Sequence, residues 1–95
     1  MRPKYPSGPK SEWARQAEEI SRGDIRTTPE DLPMLMEWLQ DMNWPGATII
    51  ARHLISFGPD LVEPIRRVIE SGDSIWIHWV LSEFADFLIV VFGSV

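Results

Sequence analysis

The sequence predicts an all-α fold: a short α-solenoid of about two helical hairpins behind an N-terminal capping helix. Three observations predict it. Apolar residues recur at i, i+3, i+4 and i+7 in successive segments, which is the period of a helix rather than of a strand. Pro, Gly and Asn turn signals bound each segment. One hairpin pattern also recurs at an offset of 29 residues.

Ninety-five residues correspond to one domain with a modest core. The apolar fraction of 44% and charged fraction of 24% place it among soluble globular chains. Five tryptophans are many for this length, and each can fill a large volume between helices. The absence of cysteine excludes disulfides, thiolate metal sites and a thiol nucleophile, and fits a cytoplasmic setting. The first ten residues carry no apolar stretch of the kind a secretory signal requires. The net charge is −5, but Arg2, Lys4 and Lys10 lie in the first ten residues beside no acid. The remainder therefore sets six basic against fourteen acidic side chains, a net −8. Nucleic acid is disfavoured as a partner because it needs a basic stripe. A protein partner, basic or neutral, is electrostatically easier.

Residues 1–10 hold three prolines and read as a flexible arm, with docking through Tyr5 as the alternative. Residues 11–95 form the helical domain. Ser11 is the expected N-cap of a helix over 12–21, whose apolar face is Trp13, Ala17 and Ile20. Gly23 is its expected stop. Arg22-Gly23-Asp24 matches an integrin-recognition tripeptide, but a helix-ending turn is the better reading of three residues.

The first hairpin spans about 29–57. Thr28 before Pro29 reads as an N-cap, followed by a helix to about Met42 with Leu32, Leu35, Met36, Leu39 and Met42 as its stripe. Trp38 lies beside that stripe. Asn43-Trp44-Pro45-Gly46 is the elbow, with Asn43 the candidate for left-handed geometry. A helix from Pro45 to about Phe57 follows, its inner face Ala47, Ile50, Ala51, Leu54 and Ile55. Gly58-Pro59 ends it.

The second hairpin spans about 60–86. Leu61, Ile65, Val68 and Ile69 mark one helix, and Asp73 or Ser74 caps the next from Ile75. Asp31-Leu32 recurs as Asp60-Leu61. Ala47, Ile50, Ala51 and Ile55 correspond to Trp76, Trp79, Val80 and Phe84. Hairpins that each bury a face on the next are the logic of a solenoid. The apolar tail, residues 87–95, is expected as continued helix or as β-prone chain. His78, Glu83 and Asp86 interrupt the run from Ile75, which argues against a membrane span. An exposed tail, Phe87 to Val95, would be a homo-oligomer interface.

Trp38-Leu39-Gln40-Asp41-Met42-Asn43-Trp44-Pro45 resembles the hairpin signature of domain-of-unknown-function family 5071, a group of small bacterial proteins. Ser74-Ile75-Trp76-Ile77-His78-Trp79-Val80-Leu81 resembles its second hairpin. The resemblance covers about 27–84 and implies a HEAT-like helical fold. It carries no established activity and no catalytic residues to transfer. Beyond Phe84 the chain departs from that pattern, which continues in polar helical sequence; a truncated or altered C-terminus is the expectation.

No residue pattern points to catalysis. His53 and His78 match no metal spacing and are not equivalent in the repeat, so neither metal nor cofactor is expected. Gly46, Gly58 and Gly72 are isolated stops, not a phosphate loop. Glu37 and Asp41, four apart, are expected on one helix face. The leading functional reading is a non-enzymatic protein–protein interaction module, of which an immunity-type inhibitor is one version. Its candidate partner-binding residues are Glu37, Trp38, Asp41, Trp44 and Asp73: aromatic elbow residues within an acidic rim. The alternatives are a ligand-binding protein or enzyme with a pocket near His78 and Glu83, and a self-associating structural fragment.

Overall fold

A computed structural model describes residues 4–92, with side chains through residue 91. Every regular element among them is helical. Helix α1 is Trp13–Ser21, α2 Leu32–Met36, α3 Ala47–Ile55, α4 Val62–Glu70, α5 Ser74–Glu83 and α6 Ala85–Phe92. Tighter 3-10 turns lead into several of them and extend α2.

Helix α1 buries Ala17 and Ile20 and half-buries Trp13, the face its spacing predicts. Its start differs from expectation. A 3-10 turn, Lys10–Glu12, precedes it, and the Glu12 N–H donates to Pro9 O at 2.9 Å. Ser11 therefore lies inside the turn and does not cap it. At the other end Gly23, at φ 85°, lets its N–H reach Ile20 O at 3.1 Å. Arg22 and Asp24 pair with each other across that turn.

The segment after Thr28 is more broken than predicted. Pro29–Asp31 is a 3-10 turn, α2 is little more than one turn, and Glu37–Gln40 tightens again. The Thr28 N–H donates to the Asp31 carboxylate at 2.8 Å, which fixes the start. The helical run ends at Gln40, not Met42, because Asp41 is extended, at φ −150° and ψ 110°. Its carboxylate accepts the Asn43 N–H at 2.8 Å, a local turn that competes with further helix.

Helix α3 starts at Ala47, two residues after Pro45, and buries Ala47, Ile50, Ala51 and Leu54. Ile55, expected inside, is 48% exposed: it lies about 100° round the helix from Leu54. Ile69 of α4 is likewise outside its predicted stripe, at 46% exposed, while Leu61, Pro64, Ile65 and Val68 are buried. Asp73 caps α5, its carboxylate accepting the Trp76 N–H at 3.0 Å. The chain then breaks at the fully buried Phe84, and α6 departs at 69° from α5. The tail is thus helical as far as Phe92; residues 93–95 lie outside the described residues.

Helix α1 packs on α3, α2 on α3 and α4, and α5 on α4 and on Glu37–Gln40, while α6 packs on α5. The 29-residue repeat is clearest at the hairpin starts. Leu32 and Leu61 are both fully buried at the ends of equivalent turns, and Ala51 and Val80 both enter the core. It fails at Ile55 and Phe84, one exposed and one fully buried. Trp38 and Phe84 are the largest fully buried side chains. Among the described residues, no buried side-chain polar atom lacks a hydrogen-bond partner.

Candidate functional site

The elbow of the first hairpin is held by an aromatic stack. The Trp44 ring meets Trp13 edge-on at 5.3 Å between centroids, and Trp13 meets Trp38 at 6.3 Å. Both edge-on geometries suit the ring quadrupoles. Gly46, at φ 91°, is the left-handed residue of the elbow in place of Asn43, and its backbone passes against Trp38 and Ala17.

Residues 4–10 lie along this stack. Lys4 O accepts the Trp38 indole N–H at 2.7 Å, and Gly8 O accepts that of Trp13 at 3.0 Å. Gln16 donates to Tyr5 O at 2.9 Å. The Lys4 ammonium reaches the Asp31 carboxylate at 2.7 Å, with each side chain 18% exposed. Burial would raise the Asp31 pKa, but the hydrogen bonds from Lys4 and Thr28 outweigh it and hold the group below the ordinary carboxylate value. Backbone carbonyls dock the arm; the Tyr5 side chain itself is 45% exposed.

This arrangement redistributes the five residues singled out from sequence. Trp38 is fully buried and offers no surface to a partner. Trp44 is half-buried with its ring engaged by Trp13. Glu37 and Asp41 are half-buried but share no helix face, since the helical segment ends between them. Asp73 is exposed, and its carboxylate is occupied as the cap of α5. Trp76 serves the junction of the hairpins, donating its indole N–H to Met36 O at 2.9 Å.

The histidines stand apart. His53 is half-buried, edge-on to Phe57 at 5.5 Å, with Nε2 3.4 Å from Thr27 Oγ1. Burial lowers its pKa below the ordinary value of 6.5. His78 is exposed against Trp79. Among the described residues no group of three or more His, Asp or Glu side chains could hold a metal ion.

A different surface stands out. A groove of about 380 Å³ runs between α4, α5 and α6, lined by Val62, Ile65, Arg66, Ile69, Leu81 and Leu88. On the same two helices, α5 and α6, Ile75, Ile89 and Val90 are 64%, 65% and 76% exposed. Arg66 is the single charged side chain of the lining, and its guanidinium is shared by Glu63 and Glu70. Sequence reading flagged the tail but not the groove. The signal was there: α5 and α6 are apolar nearly all round, and such helices need cover on two sides. No described helix is by itself long and apolar enough to cross a membrane; α5 and α6 reach that length only as a bent pair.

The model of a domain of unknown function, DUF5071, matches residues 12–92. The chain belongs to the DUF5071 family. The DUF5071 match extends beyond the resembling region of about 27–84 at both ends, so α1 and α6 are part of the family pattern. The departure expected beyond Phe84 is corrected to that extent. No curated protein and no solved structure matches this DUF5071 chain.

Proposed function

We propose that this DUF5071 chain is a non-enzymatic protein–protein interaction module of the bacterial cytoplasm, built as a short HEAT-like α-solenoid. The solenoid reading is supported by the order of packing: α1 on α3, α2 on α4, and α5 back on Glu37–Gln40. Each hairpin so leans on the next.

One observation carries the interaction reading. The groove between α4, α5 and α6 is walled by five apolar side chains, two of which, Ile69 and Leu81, are 46% and 38% exposed. A concave apolar surface of this kind marks a docking site. The elbow is the weaker candidate, since its aromatics are spent on internal packing.

Affinity capture from the native host tests the reading, comparing the intact chain with Ile69→Glu and with Asp41→Lys. Matched circular dichroism controls for folding. The expected result is a specific protein retained by the intact chain and by Asp41→Lys, and lost with Ile69→Glu. Retention by Ile69→Glu combined with loss in Asp41→Lys would move the docking surface to the elbow. Retention by both would remove both surfaces.

A further inference from the structure

We infer that the face formed by Trp13, Gln16, Asp31 and Trp38 is a docking site for an extended, proline-rich, lysine-bearing segment of another protein, and that the chain's own arm covers the site in its absence. This face is separate from the groove between α4, α5 and α6. Its geometry is that of a receptor and a peptide. Three donors, Trp38 Nε1, Gln16 Nε2 and Trp13 Nε1, belong to the helical body, and their acceptors are the backbone carbonyls of Lys4, Tyr5 and Gly8. Proline-rich strands dock in aromatic-lined grooves, and their carbonyls, without internal partners, are open to indole N–H donors. The arm has that composition, with Pro3, Pro6 and Pro9 at every third position. Pro9 has polyproline angles, φ −64° and ψ 143°. Lys4 adds its ion pair with Asp31 at 2.7 Å.

These contacts suit an exchangeable occupant. No residue of 4–10 belongs to the buried core. The four receptor residues lie within the DUF5071 match at residues 12–92, and the arm lies outside it. Charge favours a basic occupant, since residues 1–10 carry +3 and the remainder −8. A second copy's arm would repeat contacts the arm already makes and lose the entropy of association. A foreign segment can add to them. A cleft of about 270 Å³ opens where Ser7, Gly8 and Pro9 face Arg15, Glu19 and Ile25. A longer apolar side chain in place of Ser7 would pack into that cleft.

The test is a fluorescein-labelled peptide of residues 1–10, titrated with the intact chain and its variants and followed by anisotropy, each variant with unchanged circular dichroism. In the wild type the arm competes at an effective concentration on the order of millimolar. Lys4→Glu sets a carboxylate against Asp31 and loosens the arm, so it should bind the peptide at least tenfold tighter than wild type. Adding Asp31→Asn should weaken that binding at least fivefold, and adding Ile69→Glu should leave it unchanged. The peptide variant Ser7→Leu should bind at least twofold tighter than its parent. Equal binding by wild type and Lys4→Glu, or binding by neither, overturns the inference. Binding that ignores Asp31→Asn overturns it too, as does binding lost with Ile69→Glu. A dimer of the wild type that Lys4→Glu dissolves would give the site to a second copy and overturn the foreign occupant. So would a Ser7→Leu peptide that binds no tighter than its parent.

Discussion

A Cβ on Gly46 would lie 2.9 Å from Cζ3 of Trp38, and 2.7 Å from the Cβ of Ala17. Glycine is required there twice over, by the left-handed φ of 91° and by the lack of space. Gly23 isolates the first requirement: its φ is 85°, but nothing stands within 4 Å of a Cβ. Gly23→Ala should therefore cost about 1 kcal/mol, and Gly46→Ala about 2–4 kcal/mol, in urea unfolding. Equal costs would show that the Trp38 contact adds nothing.

Asp31 ties the arm to the first hairpin. Its carboxylate accepts from Lys4 Nζ and from the Thr28 N–H. Asp31→Asn should destabilise the chain by about 1–2 kcal/mol, through the lost cap and a partly screened ion pair. Because the folded pKa of Asp31 is depressed, its contribution is full above the unfolded value of 3.8 and is lost as pH falls through the folded value. Acid titration followed by circular dichroism should find the wild-type advantage over Asp31→Asn shrinking in that window.

His53 has the same sign at higher pH. Burial favours its neutral form, so folding is disfavoured once the unfolded imidazole takes up a proton. Its contribution is full above 6.5 and falls as pH drops from there through the folded pKa. Denaturation midpoints between pH 8 and pH 5 should decline in the wild type and flatten in His53→Gln. An unchanged slope would place the pH dependence elsewhere.

Asp73→Ala should remove the α5 cap, at about 1 kcal/mol. The break should fray α5 near Trp76, visible as a red shift in tryptophan emission. The same substitution should leave partner capture intact, since its carboxylate faces its own helix.

Much of this fold was legible in the sequence because helical period and stop residues are local signals. The stop at Gly23, a cap at Asp73 or Ser74, and the inner faces of α1 and α3 up to Leu54 followed from residue type and spacing. The family match was legible from the run Trp38 to Pro45. What escaped was long-range. Nothing near Trp38 in sequence tells that its indole will find the carbonyl of Lys4, because every residue carries a carbonyl. Nothing near Ile69 tells that its side will stay uncovered, because that depends on where α6 turns after Phe84. The end of the helical run at Gln40, short of Met42, turned on Asp41 choosing a local hydrogen bond over one more helical turn. At the candidate site the same limit applied: Trp38 and Trp44 stood open between core packing and a binding patch until their partners, Trp13 and the arm, were in place.

The bond between Lys4 O and the Trp38 indole spans 34 residues of chain. On the ribosome the arm emerges before the elbow, yet its place along the stack does not exist until Trp38 has followed it out. The arm must wait for the elbow, and tryptophan fluorescence would time the moment it docks.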